Sequence, residues 1–244
     1  MSSGAYIALS GLQARAEQLN RLAGDLANTG TAGYKAERST TWAAEREADP
    51  FGRALQSAID VAAGPKGLDF SPGAITPTGR DFDLAIDGRG LFAVETPNGV
   101  RYTRNGSFTR RADGVLATNE GYAVLGEQGP LRLPEGGGAL EIASDGQIRV
   151  GGTPIGKPRI VEFSNYDQLA REDGALFRAG SGVTVVPAAG ARLVAGALEQ
   201  SNVSLVERMA QLTEVSRTFE ALQRGVTIMM NDVDGRAISE LGRK

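Results

Sequence analysis

The chain has 244 residues, with 26 Lys+Arg against 29 Asp+Glu and a formal net charge of −3. That length can bury a sizeable core in one large or two modest domains, and the balanced charge lacks the basic excess with which nucleic-acid binders neutralise phosphates. Without Cys or His, disulfides, thiolate nucleophiles, imidazole bases and the usual zinc ligands are excluded together.

The opening Met1-Ser2-Ser3-Gly4-Ala5 has no basic n-region, and the apolar residues after it are interrupted by Gln13, Arg15 and Glu17. No cleavable signal peptide is expected. No run approaches 18 apolar residues and no Lys/Arg-rich amphipathic stretch is evident, so direct membrane insertion is not expected either.

Residues 3–30 read as one helix. Ala5, Leu9, Leu12, Ala16, Leu19, Ala23 and Leu26 alternate spacings of four and three, the seam of a heptad. Gln13, Arg15, Gln18, Asn20, Arg21 and Asp25 fall on other faces. Ser2 or Ser3 is the expected N-cap and Gly30 the expected left-handed stop. Residues 36–69 mix Trp42 and Phe51 with charge, Ala and Gly; apart from one candidate short helix at residues 54–62, an irregular linker is expected there.

From residue 70 to 197 short apolar runs are divided by turn dipeptides. Asn98-Gly99 separates residues 91–96 from 100–104, Asp113-Gly114 separates 107–110 from 115–118, and Asp145-Gly146 separates 140–143 from 147–150. These are hairpin signals, and they predict a mostly antiparallel β-domain that contains a Pro/Gly-rich loop from Gly129 to Gly138.

Ser204-Leu-Val-Glu207 reads as a capping box before a second seam, Leu212, Val215, Phe219, Leu222, Val226, Met229 and Val233, which Leu205 extends backwards. Arg208 interrupts this seam beside Met209, and Gly235 is its expected end. Each seam needs a partner, and the other seam of similar length lies at the opposite end of the chain. Tyr6, Ile7, Leu22, Val206, Ile228 and Met230 lie off the seams and add more apolar surface than two helices hide. The pattern favours paired helices that assemble with other copies over a hairpin lying on the β-domain as ordinary core. Arg208 and Gly235 are then expected to meet neighbouring subunits. The expected fold class is α+β: long N- and C-terminal helices pairing as a coiled-coil-like unit, with a mostly antiparallel β-domain between. The expected divisions are 1–35, 36–69, 70–197 and 198–244.

Candidate chemistry is sparse. Asp81, Asp83 and Asp87 alternate with Phe82, Leu84 and Ile86 as on a half-buried strand, which reads as carboxylates on a solvated face. Their spacing fits a calcium loop poorly, with Phe92 where the bidentate Glu belongs. Gly88-Arg89-Gly90-Leu91-Phe92-Ala93 matches G-x-G-x-x-A, but a second strand follows where a dinucleotide fold needs a helix, so a tight turn explains it better. A carboxylate pair drawn from Asp81, Asp83, Asp87, Glu95 and Glu120 keeps a cell-wall hydrolase open as an alternative. No catalytic, cofactor-binding or metal residue is assigned.

Leu26-Ala-Asn28-Thr-Gly-Thr-Ala-Gly33-Tyr34-Lys35 resembles the N-terminal signature of bacterial flagellar rod and hook proteins. Three further stretches agree in order: Gly73 to Gly79 with Asp83 to Phe92; Tyr102 to Phe108 with Asp113 to Leu116 and Gly121-Tyr122; and Leu198-Glu-Gln-Ser201-Asn202-Val203 with the helix through Arg217 and Phe219. The resemblance marks Asn28, Gly33, Tyr34, Lys35, Ser201 and Asn202 as motif residues. Within the family, the short connection between Lys35 and Thr78 resembles the proximal rod type more than the distal rod protein FlgG, which stays an alternative. It leaves no room for the outer domains of the hook protein. After Val233 the sequence departs from the family, whose helix runs on to the end. The resemblance implies a structural, non-enzymatic subunit whose paired terminal helices stack around an axial channel, transmitting torque across the periplasm. It also implies export through the flagellar type III apparatus and contact with copies of itself and with rod neighbours of the FlgB, FlgC, FlgG and FliE types.

Overall fold

A computed structural model describes residues 3–39, 66–135, 138–143, 146–188 and 190–241. The expectations for Trp42, Phe51, residues 54–62, Ser2 and Asp145 lie outside these residues. At Tyr6, Ile7, Leu9, Met229, Met230 and Val233 the backbone alone is described.

The chain divides into two compact units. The first comprises Met1–Ala27, Glu37–Lys66 and Ser204–Lys244, and the second Asn28–Ala36 and Gly67–Val203. Residues 28–35 and 198–203, expected to belong with the terminal helices, are thus part of the β-rich unit.

In the first unit α1 (Ser3–Ala27) and α2 (Leu205–Leu241) contact one another, and β1 (Glu37–Ser39) follows α1 in the chain. Ser204 caps α2: its Oγ accepts the Glu207 N–H at 3.5 Å and its carbonyl accepts the Arg208 N–H at 3.0 Å, occupying donors that the first turn leaves unpaired. Gly235 does not end α2, which continues to Leu241. A lone interior glycine costs about 1 kcal/mol against alanine, too little by itself to break a helix of this length. At 1.5 Å per residue α2 is roughly 55 Å long. Nor is Gly30 the left-handed stop. α1 closes at Ala27, the Asn28 carbonyl accepts the Thr31 N–H at 3.1 Å, and Asn28 Oδ1 accepts the Thr31 hydroxyl at 3.0 Å. This asparagine-based turn delays the first left-handed glycine to Gly33, at φ 68°.

The remaining strands, in order, are β2 (Lys66–Leu68), β3 (Ile75–Pro77), β4 (Leu84–Asp87), β5 (Leu91–Thr96), β6 (Gly99–Thr103), β7 (Phe108–Arg110), β8 (Leu116–Thr118), β9 (Ala123–Gly126), β10 (Gly129–Pro130) and β11 (Leu140–Ile142). They continue with β12 (Ile148–Val150), β13 (Thr153–Gly156), β14 (Ile160–Phe163), β15 (Leu169–Asp173), β16 (Leu176–Ala179), β17 (Val185–Pro187), β18 (Arg192–Ala195) and β19 (Ala197–Glu199). The main sheet of the second unit runs β15-β16-β6-β5-β9-β8-β7, with β14 on β5, β17 on β14 and β10 on β9. β11-β12-β13, β4-β18 and β3-β19 form smaller sheets, and these pairings are antiparallel. The β7–β8 hairpin turns around the expected Asp113-Gly114, with Arg110 paired to Leu116, whereas the β5–β6 hairpin turns over Pro97-Asn98, one residue earlier than expected, with Gly99 already paired to Thr96.

β5 explains why its sequence is a continuous apolar run. Side chains alternate across a strand. Leu91 and Ala93 pack with Leu68, Tyr102, Val161, Phe163 and Phe177, while Phe92 and Val94 pack with Leu84, Ile86, Phe108, Leu116 and Ile148. One strand therefore separates two cores. β4 departs from the expected alternation, because Leu84, Ala85 and Ile86 are all buried. The Pro/Gly-rich stretch from Gly129 is not simply a loop: β10 pairs with β9, and Leu131 and Leu133 enter the core of Phe92 and Val94.

Gly106 is the tightest point between strands. Its carbonyl accepts the Leu84 N–H at 3.0 Å, and a Cβ there would lie inside contact distance of the Leu84 carbonyl oxygen. Backbone cannot move aside as a flexible side chain does, so Gly106→Ala is expected to cost about 1–3 kcal/mol, the range for overpacking. Thermal unfolding of the purified chain checks this; an unchanged midpoint would show that the β4 register gives way freely.

Candidate assembly surface and motif residues

The face that α1 buries is not the expected leucine seam. Among the residues of α1 whose side chains are described, Gly11, Ala14, Leu22 and Asp25 are buried, a stripe about a third of a turn from that seam. Leu12, Leu19 and Leu26 are half-buried, and Ala23 is exposed. Leu22, expected off the seam, is among the most buried residues of the helix.

Asp25 is the cause. At 1% exposure its carboxylate needs partners: Oδ2 meets Arg208 Nε at 3.1 Å, and Oδ1 accepts the Glu37 N–H at 3.3 Å. Arg208 is therefore not kept for a neighbouring subunit. It holds α2 to α1 through a buried carboxylate, and its Nη1 also donates to Gln211 Oε1 at 2.8 Å. The signal was a charge within each apolar helix. Asp25 stands one turn from Leu22, and Arg208 lies within the C-terminal seam itself.

On α2, Val215 is buried and Leu212, Phe219, Leu222 and Val226 are half-buried. Leu205, Val206, Met209 and Ile228 are 49%, 79%, 53% and 69% exposed. The helix thus carries a partly shielded apolar stripe from Leu212 to Val226, an exposed apolar group of Leu205, Val206 and Met209 at its start, and Ile228 exposed further along.

The motif residues gather elsewhere, inside the second unit. Lys35, 1% exposed, donates from Nζ to Glu199 Oε1 and to the Ser71 carbonyl, each at 2.7 Å. Glu199 Oε1 also accepts the Gly73 N–H at 2.8 Å, and Oε2 is bonded by Arg104 Nε. The Arg104 guanidinium is further bonded by the carbonyls of Gly90, Ile86 and Gly88, the last two at 2.8 and 2.6 Å. Burial pulls the Lys35 ammonium below its ordinary value, and the Glu199 carboxylate opposes that shift. One buried carboxylate thus serves two cations, whose remaining donors are met by backbone oxygens.

Asn202 closes the same region. Its Oδ1 accepts the Ala36 N–H at 2.8 Å, its Nδ2 donates to the Asp69 carbonyl at 2.8 Å and to Ser71 Oγ at 3.1 Å, and its own N–H reaches the Tyr34 carbonyl at 3.4 Å. Ser201 Oγ accepts the Val203 N–H at 3.3 Å. Tyr34 is buried with the Arg171 guanidinium 3.9 Å above its ring, and Arg171 also donates to the Lys35 carbonyl. The Gly33 N–H reaches the Glu199 carbonyl at 2.8 Å, and a Cβ at Gly33 would collide with the Arg104–Asn105 peptide. Only a residue without a side chain fits that crossing. Asn28 sits apart from this group, in the turn described above.

Lys35, Tyr34, Gly33 and Asn202 are thus brought together. Glu199 and Arg104 complete the group, although neither was singled out from sequence; the available signal was a single charge inside each of two otherwise uncharged signature stretches. Gly88 and Gly90, at φ 110° and 127°, form the turn that wraps Arg104 and leads into β5.

The acidic cluster is not a solvated face throughout. Asp83 is fully buried, and its Oδ2 accepts the Thr78 hydroxyl at 2.6 Å, while Asp81, Asp87, Glu95 and Glu120 are exposed. Asp83, one of the five carboxylates from which a hydrolase pair could be drawn, is thus closed off from solvent.

Comparison with known proteins agrees with this geometry. The description "Flagellar hook protein FlgE/F/G D1 domain" matches residues 85–150, and "Flagellar basal body rod FlgEFG protein C-terminal" matches residues 194–236. The chain is 32% identical to the flagellar basal-body rod protein FlgF of Rhizobium meliloti (strain 1021), over 99% of each chain. It is 32% identical to FlgF of Escherichia coli (strain K12), over 97% of each. It is 30% identical to the basal-body rod protein FlgG of Bacillus subtilis (strain 168), over 91% of this chain and 93% of that one. The second match spans β18 to α2, and the first spans β4 to β12, where the two cores meet. With similarity running through both units at these identities, the chain belongs to the flagellar basal-body rod protein family and is most like its FlgF members.

Proposed function

We propose that this chain is a structural subunit, not an enzyme, of the proximal part of the flagellar basal-body rod, and that it polymerises through its terminal helices. The observation that carries the reading is the apolar surface of the helical unit. α1 and α2 contact one another, yet Val206, Met209 and Ile228 stay exposed and the Leu12–Leu19–Leu26 seam stays half-covered. Uncovered apolar surface at this spacing marks an association site, and coiled-coil-like packing of the two helices against those of other copies would cover it. In this reading the second unit, held by the Lys35–Glu199–Arg104 group, is the outer domain.

Family likeness supports the rest. The subunit would lie in the periplasmic part of the rod and carry motor torque. It would leave the cell through the flagellar type III apparatus without a cleaved signal, and it would contact FlgB-, FlgC-, FlgG- and FliE-type neighbours. The distal, FlgG-type position is the second reading, favoured by the similarity to the Bacillus subtilis protein.

The test is complementation of a strain deleted for its FlgF-type protein, followed by purification of basal bodies. Recovery of the tagged chain in the proximal rod, with restored swimming, is the expected result. Recovery in the distal rod would favour the second reading, and absence from basal bodies would end both.

A further inference from the structure

Within the helical unit a polar groove of about 460 Å³ runs between α1 and α2. Arg15 and Gln18 line it from α1, Arg208, Gln211 and Glu214 from α2, and Glu37 and Arg38 from the segment containing β1.

The guanidiniums in this groove are unequally served. Arg208 has the Asp25 carboxylate at 3.1 Å and the Gln211 amide oxygen at 2.8 Å. Arg15 donates from Nη1 to Gln18 Oε1 at 2.7 Å, but its Nε is buried and has no hydrogen-bond acceptor. A guanidinium is a planar fork whose Nε–H and Nη–H pair side by side with the two oxygens of a carboxylate. A neutral amide oxygen on Nη alone leaves that edge half used. A buried donor without an acceptor is retained at a cost unless another state of the molecule pairs it.

We propose that this groove seats a glutamate side chain from the terminal helices of a second copy of the chain, with Arg15 as the residue that receives it. The donor chemistry calls for a carboxylate, and the terminal helices supply exposed ones: Glu17 on α1, and Glu207, Glu214 and Glu220 on α2. Of these, Glu220 has its ion-pair partner Arg224 no nearer than 4.0 Å, with both side chains largely exposed. Each copy thus carries both a receiving groove and acidic side chains, as a head-to-tail interface between copies requires. This inference rests on the rod-subunit reading and adds register to it: apolar surface drives association, and one charge pair fixes how far each copy is displaced along its neighbour.

Two experiments on the full chain in the complemented strain test it. In the first, Arg15→Gln and Arg15→Lys are compared with Leu222→Asp. Rod incorporation is expected to fall more than ten-fold in Arg15→Gln and to be only partly restored in Arg15→Lys, which keeps the charge without the fork. Circular dichroism of both purified variants is expected to match the parent. In the second, the absence of cysteine permits clean cross-link mapping: Arg15→Cys is paired with Glu17→Cys, Glu207→Cys or Glu220→Cys on separate copies and treated with a short bis-maleimide, because an arginine–glutamate pair holds its Cβ atoms beyond disulfide reach. A cross-linked dimer of the chain from at least one pair is the expected result. Normal rods from Arg15→Gln, or cross-links from Arg15→Cys to a different protein only, would overturn the proposal. If Leu222→Asp also built normal rods, assembly through the terminal helices would fail, and if the parent chain were absent from basal bodies the rod-subunit reading itself would fail, so the failures are separable.

Discussion

Glu199→Gln is expected to destabilise the β-rich unit by about 3–5 kcal/mol, the usual cost of removing one partner from a buried charge group. The carboxylate is 1% exposed and accepts from Lys35, from Arg104 and from the Gly73 N–H. A glutamine keeps the shape and one acceptor oxygen but leaves two buried cations with no anion between them. Lys35→Met should be milder, because Glu199 then keeps Arg104 and the Gly73 N–H, and the loss is an ammonium that burial already disfavours. The ordering is thus the sharper half of the prediction. Denaturant unfolding followed by circular dichroism gives both values, and a Lys35→Met variant weaker than Glu199→Gln would show that the lysine, not the carboxylate, organises the group.

Leu222→Asp and Leu19→Asp are expected to abolish rod incorporation and swimming while leaving the melting of the β-rich unit unchanged. Both positions are half-buried in the helical unit. A carboxylate placed among apolar neighbours loses hydration without gaining a partner, and in the assembled rod the same loss would recur in every copy. Unlike Asp25, which has Arg208 and the Glu37 N–H, an aspartate at 222 has no lysine or arginine three or four residues away on its helix to receive it. Val206→Asp offers a contrast at 79% exposure. It should leave the contact between α1 and α2 intact and act only on association between copies. Motility in soft agar and the composition of isolated basal bodies report all three. A motile Leu222→Asp strain would remove the helical unit from the assembly interface.

Much of the fold was legible because it rests on local chemistry. Asn98-Gly99 marks its hairpin to within one residue and Asp113-Gly114 marks the next, and Ser204 announces the start of α2. What sequence did not show depends on partners far along the chain. The face of α1 was misplaced because apolar spacing weighs leucines and cannot see that Asp25 has Arg208 waiting 183 residues later, the difference between their positions. Gly235 looked like a stop because a glycine's local cost is visible, whereas the neighbours that outweigh it act through the whole helix. Asp83 looked solvated because alternation assumes one wet face, and β4 has none. The motif residues were visible as a family signature, yet their purpose was not. Only in three dimensions do Lys35, Arg104 and Glu199 converge from three separate stretches.

That convergence also sets an order of events in time. Lys35 and Glu199 are 164 residues apart in sequence, and α1 lies still further from α2. Contacts so distant are slow to form and cannot begin until the later partner is present. A chain delivered N-terminus first would hold its leading helix without its partner, and its lysine without its anion, until most of its length had passed. The β5–β6, β7–β8 and β11–β12 hairpins, whose contacts are local, could form meanwhile. In the proposed rod subunit this arrangement would act as a delay, with the surface for association maturing last.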